Sequence, residues 1–201
     1  MNVWAITGGI ACGKSTVADL LRRKGYLVHS ADDDARVVAG DPLVRSALAQ
    51  RFPECFVEGQ LDRRRLADRI YTDSEARQAL NAIMHPAIRK RMRAHIEASR
   101  TADAAGPVFY EVPLLYEGGL ENWFDGVVVV RTSPETQVER LRRRERDAGR
   151  PDLDPDEAKS RLAAQMDPAE KARRADFVVD TDRSLSDVEG QLERILAVLA
   201  P

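Results

Sequence analysis

The sequence predicts an α/β fold built on a doubly wound, parallel, five-stranded sheet. Three observations predict it. Five short apolar runs lie along the 201 residues, continuous rather than alternating, as suits strands buried on both faces of a parallel sheet. Helical patterns separate them, and alternating β and α units wind into such a sheet. The first run leads straight into Gly8-Gly9-Ile10-Ala11-Cys12-Gly13-Lys14-Ser15 and Thr16, which fits the phosphate-binding pattern G-x-x-x-x-G-K-[ST] in full.

Val3-Trp4-Ala5-Ile6-Thr7 is the first strand. In the loop after it, glycines let backbone N–H groups turn inward on an anion. The helix carrying Val17-Ala18-Asp19-Leu20-Leu21 adds its unpaired N-terminal donors and the positive end of its dipole. Gly8, Gly9, Ala11, Cys12, Gly13, Lys14, Ser15 and Thr16 are the predicted contacts to ATP. Lys14 reaches the β- and γ-phosphates and the Ser15 hydroxyl holds Mg²⁺. Kinases, GTP switches and motor ATPases share such a P-loop, so the chemistry must be read elsewhere.

Tyr26-Leu27-Val28-His29 is the second strand, followed by Ser30-Ala31-Asp32-Asp33-Asp34. Ligands of doubly wound sheets bind at the carboxyl ends of the strands. The P-loop, Asp32, Pro113 and Arg131 all fall at or just beyond a strand end, so one rim is expected to carry them. A carboxylate in this run, at the rim opposite the P-loop, is placed to accept the proton of an attacking hydroxyl or to orient it. The same run can supply an N-cap aspartate for a helix Asp33-Asp34-Ala35-Arg36.

From Asp32 to about Ala105 the chain reads as mostly helical, with one break around Phe52-Pro53-Glu54 and Glu58-Gly59-Gln60. That exceeds one crossover helix and predicts a helical cap beside the site. Strands follow at Val108-Phe109-Tyr110-Glu111-Val112 and Gly126 to Arg131. Pro134 to about Arg174 carries Arg140, Arg142, Arg143, Arg144, Arg146 and Arg150, a turn from Gly149 to Pro155, and a helix from Asp156 to Gln165. Helix, mobile turn and helix describe a closing lid. Interleaved acids make most of these arginines a solvated face. Arg140 and Arg144, four apart, share a face suited to close over a transferring phosphoryl group. The last strand is Asp176 to Asp180 and the last helix Asp187 to Leu199. One domain, 1–201, is expected, with a core (about 1–31, 106–133 and 175–201), an acceptor-binding insertion (about 32–105) and a lid (about 134–174).

At 43% hydrophobic, 32% charged and a net charge of −2, the chain has no general pull toward nucleic acid or membrane. Runs such as Val127 to Val130 are far too short to span a bilayer, and no signal peptide is visible. Of two cysteines, Cys12 lies inside the phosphate loop, so a reducing cytoplasm is the simplest setting. Beside a helix N-terminus Cys12 could be reactive; the plainer reading is a small residue that fits a tight loop. Three scattered histidines and no cysteine pair at ligand spacing argue against zinc. There is no guanine-reading Asn-Lys-x-Asp, and no strand ends in the Asp-Glu of a motor ATPase.

Motifs spread over nearly the whole length then narrow the reading. They are Ile6-Thr7-Gly8-Gly9-Ile10 with the P-loop, Ser30-Ala31-Asp32, Leu61-Asp62-Arg63 with Leu66, Leu80 to Pro86 with His85-Pro86, and Val112-Pro113-Leu114-Leu115-Tyr116-Glu117. Gln137, Arg140 and Arg144 follow, then Arg161, Ala164-Gln165-Met166, Lys171 and Ala175-Asp176. With these the chain resembles the dephospho-CoA kinase family. The resemblance implies transfer of the ATP γ-phosphate to the ribose 3′-hydroxyl of 3′-dephospho-CoA. It implies Asp32 as the base, and Ala11 to Thr16 on the ATP phosphates. It also implies the helical insertion as acceptor domain, the arginine segment as lid, and a monomer. His85, Pro113 and Leu114 are the expected acceptor-side residues, although His85-Pro86 also reads as a helix break whose imidazole caps a turn. Glu111 is a candidate outer carboxylate for Mg²⁺. Ser30 stands where the family has the first Asp of Asp-Ala-Asp, and Thr181 where it often has Asn. Two other classes share parts of the pattern: another P-loop small-molecule kinase, for a nucleoside monophosphate or sugar acid, and a nucleotide-dependent regulatory protein without catalysis.

Overall fold

The computed structural model describes residues 2–102 and 106–199. The insertion boundary expected at about Ala105 lies outside the described residues, as do the outermost ends of the expected core. The chain forms two compact units, Met1–Ser30 with Ala98–Pro201, and Ala31–Glu97.

The first unit opens with β1 (Val3–Gly8), α1 (Lys14–Arg23) and β2 (Val28–Ser30). The second strand starts two residues later than the apolar run suggests. The chain turns at Gly25, with φ +88°, and Tyr26 instead sets its ring edge-on to Phe109, centroids 5.8 Å apart.

The second unit holds α2 (Ala31–Val38), α3 (Pro42–Arg51), β3 (Phe56–Val57), β4 (Gln60–Leu61), α4 (Arg63–Thr72) and α5 (Ser74–Thr101), the last running on into the first unit. Asp41 caps α3 by accepting from Leu43 N at 2.9 Å, and Asp62 caps α4 by accepting from Arg64 N at 2.9 Å; both satisfy first-turn N–H groups that have no helical partner. The expected break is a small antiparallel hairpin, Phe56 opposite Leu61. Glu58 (φ +50°) and Gly59 (φ +73°) both turn left-handed at its tip, the geometry a tight hairpin demands. Val44, Leu48, Phe52, Cys55, Leu66 and Ala76 form this unit's own core. The alternative reading of His85-Pro86 as a helix break does not hold: Pro86 lies inside the 28-residue α5. Proline costs the helix one N–H bond; Ile83, Met84, Ala87 and Ile88 on either side pack against the core and hold the flanks helical.

The chain returns to the first unit as β5 (Val108–Glu111), β6 (Gly126–Arg131), α6 (Pro134–Asp147), α7 (Pro155–Ala163), α8 (Pro168–Arg173), β7 (Phe177–Asp180) and α9 (Leu185–Leu199). The five long strands pair in parallel in the order β2-β5-β1-β6-β7. Central β1 is therefore flanked on both edges; the chain adds β2 and β5 on one side of it and then crosses to add β6 and β7 on the other, the kind of switch point where such sheets bind ligands. The register aligns Ser30 with Glu111, Gly8 with Val130 and Arg131 with Asp180, so these residues share the carboxyl rim. On one face Ile6, Val128, Val130 and Val179 pack with Val17, Leu21, Leu192 and Leu196 of α1 and α9. Ala5, Thr7, Tyr110, Val127 and Val129, on the alternate positions, are buried too. Burial on both faces explains why these strands read as unbroken apolar runs.

Gly126 begins β6 opposite Trp4. A Cβ there would lie 2.1 Å from Trp4 Cζ3, so the indole occupies the space a side chain needs. We expect Gly126→Ala to cost about 2 kcal/mol in urea unfolding, the usual scale of overpacking. Adding Trp4→Leu should recover part of that loss, read as a coupling in the double-mutant cycle.

Candidate active site

The loop after β1 is shaped by crowding and by left-handed turns. A Cβ at Gly8 would meet Val130 O at 2.1 Å and Cys12 Sγ at 2.7 Å. Ala11 is left-handed at φ +57° without being glycine, a conformation that costs an L-residue free energy. Gly13, at φ +91°, is the N-cap of α1 and offers no side-chain cap, so the helix start keeps its donors for something else. Lys14 Nζ donates to Gly9 O at 2.8 Å and Gly8 O at 3.1 Å, which holds its ammonium over the loop. Cys12 is 1% exposed. Burial pushes its thiol up, against the opposing pull of the Lys14 ammonium, so it fits as a small packed residue and not as a reactive thiol.

Side chains from three later elements grip this loop. Thr181, just past β7, donates from Oγ1 to Cys12 O at 2.7 Å. Arg140 of α6 donates to Thr181 Oγ1 at 2.9 Å and Thr181 O at 2.7 Å. Gln137 Nε2, also on α6, donates to Ile10 O at 2.7 Å, while Ile10 N donates to Gln165 Oε1 at 2.9 Å. A Cβ at Gly9 would lie 2.6 Å from Gln137 Nε2, so Gly9 leaves room for that amide. Gly9, Gln137, Gln165 and Met166 line one cavity of about 300 Å³. Sequence reading singled out Arg140 but gave Gln137, Gln165 and Thr181 no task. The available signal was the crowding of amide and hydroxyl residues among the motifs that flank the loop.

The segment from α6 to α7 is more firmly tied than a mobile turn. Arg142 donates to Leu153 O at 2.7 Å and pairs with Asp152 at 2.6 Å; Arg146 pairs with Asp152 at 3.0 Å, and Arg150 with Glu145 at 2.9 Å. Leu141, Leu153 and Ala158 form a small core on which Ile10 and Ala11 of the loop pack. The two arginines four apart on α6 differ in setting: Arg140 is engaged on Thr181, whereas Arg144 is exposed. Within α8, Lys171 is fully buried with its Nζ 2.7 Å from Glu117 Oε1. The same oxygen accepts from Met166 N at 3.1 Å. Burial raises the Glu117 carboxyl, but the Lys171 ammonium and backbone N–H groups outweigh it and hold the group below its usual range. Pro113 follows β5 at the rim, where its carbonyl accepts from Thr7 Oγ1 at 3.3 Å; Leu114 beside it is 49% exposed.

In the second unit, α2 starts at Ala31, so all three aspartates lie inside its first turn and none is the expected N-cap. Negative charge is favourable there against the helix dipole. Each has a different setting. Asp33 pairs with Arg36. Asp34 is 4% exposed and lies 3.1 Å from Arg91 Nε and 3.3 Å from His95 Nε2. Asp32 is exposed, two residues along the chain from Ser30 at the rim. His85 is exposed on α5; partial burial of the ring, and secondarily the Arg89 charge, lower its pKa.

Ser15 presents an exposed side chain in the first turn of α1. Among the described residues no cluster of three or more His, Cys, Asp or Glu side chains could hold a metal by itself. Among the described residues, no helix is long and apolar enough to cross a membrane.

Comparison with known proteins agrees with this geometry. The dephospho-CoA kinase family model matches residues 2–187. The chain is 42% identical over 194 residues to a dephospho-CoA kinase of Deinococcus radiodurans, covering 96% of this chain and 90% of that one. Among solved structures, a Thermus thermophilus protein matches with a TM-score of 0.80 at 36% identity, over 100% of this chain and 98% of that one. Dephospho-CoA kinase from Campylobacter jejuni matches with a TM-score of 0.67 at 26% identity, over 99% and 97%. An uncapped glycine-loop helix at the switch point of a parallel sheet, matched from end to end by these relatives, means that the chain belongs to the dephospho-CoA kinase family.

Proposed function

We propose that this chain transfers the γ-phosphate of ATP to the ribose 3′-hydroxyl of 3′-dephospho-CoA, giving CoA and ADP, the last step of coenzyme A biosynthesis. The observation that carries the reading is Lys14 held over the uncapped start of α1 in a chain of this family. Loop N–H groups and the Lys14 ammonium hold the β- and γ-phosphates. Gly8, Gly9, Ala11, Cys12, Gly13, Ser15 and Thr16 complete that contact. Ser15 would hold Mg²⁺, which when bound offsets charge between these phosphates.

Asp32 orients the acceptor hydroxyl and takes its proton. Its exposure, while Asp33 and Asp34 have cationic partners, supports choosing it among the three. Arg140, next to Gly13, stabilises charge on the transferring group. Arg144 adds to it from the exposed side of the α6–α7 lid, which excludes competing water. His85, Pro113 and Leu114 contact the acceptor, with the helical unit Ala31–Glu97 as its binding domain. The chain acts as a monomer in the cytoplasm, a setting supported by two free, buried cysteines.

ADP release should rise with dephospho-CoA and stay at background with AMP, gluconate or no acceptor; stimulation by AMP alone would reject the reading. Asp32→Asn should lower kcat at least about a hundredfold while ATP affinity changes less than about twofold; a variant keeping most of its turnover would remove Asp32 as the base. Lys14→Ala should both raise the KM for ATP and lower kcat, each by about tenfold or more. Steady-state kinetics should also separate the two arginines. Arg140→Ala, which frees Thr181 and removes a charge from the transferring group, raises the ATP KM and lowers kcat together, whereas Arg144→Ala lowers kcat with that KM little changed.

A further inference from the structure

We propose that Gln137 and Thr181 are positioning residues that aim the N–H groups of the phosphate loop by holding the carbonyls behind them. A trans peptide carries its N–H and C=O on opposite sides. Fixing the Ile10 carbonyl on Gln137 Nε2 (2.7 Å) therefore turns the Ala11 N–H the other way, and fixing the Cys12 carbonyl on Thr181 Oγ1 (2.7 Å) does the same for Gly13. Both holders are buried, Gln137 at 4% and Thr181 at 6% exposure, so neither bond competes with water. Among the described residues, the N–H groups of Ala11, Gly13, Ser15 and Thr16 meet no backbone or side-chain acceptor. The Ile10 N–H is different: Gln165 Oε1 takes it at 2.9 Å, which withdraws it from the cradle.

The left-handed Ala11 gives this arrangement its sense. Rotating the Ile10–Ala11 peptide by half a turn would move Ala11 out of φ +57° to a negative φ, the side that L-residues favour. It would also point the Ala11 N–H away from the anion. Gln137 and Gln165 grip the peptides on both sides of Ile10, and Ile10 and Ala11 are packed on Leu141 and Leu153, so that relaxation is blocked. Thr181 is itself held by Arg140. The loop's donors are thus aimed by side chains of α6, the α7–α8 turn and the β7–α9 loop.

The proposal rests on nucleotide binding at this loop, so its test uses ADP and Mg²⁺ without any acceptor. Gln137→Met and Thr181→Val keep the size and remove the donor. Each should weaken ADP binding about tenfold, the scale of one lost hydrogen bond, and Thr181→Ser should bring it back to within about threefold. The amide resonances give the signature a general loosening would not. ADP should shift both the Ala11 and Gly13 amides in the wild type. It should shift mainly Gly13 in Gln137→Met and mainly Ala11 in Thr181→Val. Gln137→Met or Thr181→Val protein that binds ADP within about twofold of wild type, or that loses both shifts alike, would overturn the proposal. Wild-type protein that bound no ADP would instead overturn the nucleotide reading beneath it.

Discussion

The end of β1 has no room. Val130 O and Cys12 Sγ stand where a Gly8 side chain would begin, and β1 is already paired on both edges, with β5 and β6. The backbone must leave the sheet as glycine and turn at once, and that turn is the phosphate loop. Everything else about the site follows from this crowding: Cys12 folds under the loop, Ala11 and Gly13 turn left-handed, and α1 starts with bare N–H groups. A parallel sheet packed on both faces therefore produces its anion site as a by-product of closing its own centre.

Charge is handled by the same economy. Lys171 is fully buried, a placement tolerable only with a well-aligned counter-charge, and Glu117 supplies it at 2.7 Å while accepting from Met166 N. That fixes the turn carrying Gln165 beside the loop. The arginines of α6 divide their duties in a way composition does not reveal. Arg142, Arg146 and Arg150 staple the turn after the helix to acids, and Arg140 braces Thr181.

The strands and the loop were legible in the sequence because both are local: burial on two faces writes continuous apolar runs, and the loop's glycines and lysine are contiguous. The start of β2 was misplaced because Tyr26 is apolar for a reason other than strand pairing, its contact with Phe109. Pro86 left a helix break open as an alternative, because the packing on either side that outweighs a proline's local cost is not local in sequence. The hairpin was visible only as a break, although Glu58-Gly59 is a fair signal for its turn. Gln137, Gln165 and Thr181 could not be assigned because their partners are 127, 155 and 169 residues away. Position alone did not separate the three aspartates; the resemblance pointed to Asp32, and the partners of the other two, Arg36 for Asp33 and Arg91 and His95 for Asp34, became visible only in the fold.

The ion pair of Asp34 has a consequence for how such a protein can vary. Arg91 lies 57 residues beyond Asp34, so the unit Ala31–Glu97 holds together the places where the chain enters and leaves it. Chain segments whose two ends already meet can be lengthened, exchanged or excised with a short bridging linker. With its own core and its own clasp, the inserted unit has the build of a cassette whose interior can be rewritten while its two ends stay tied together.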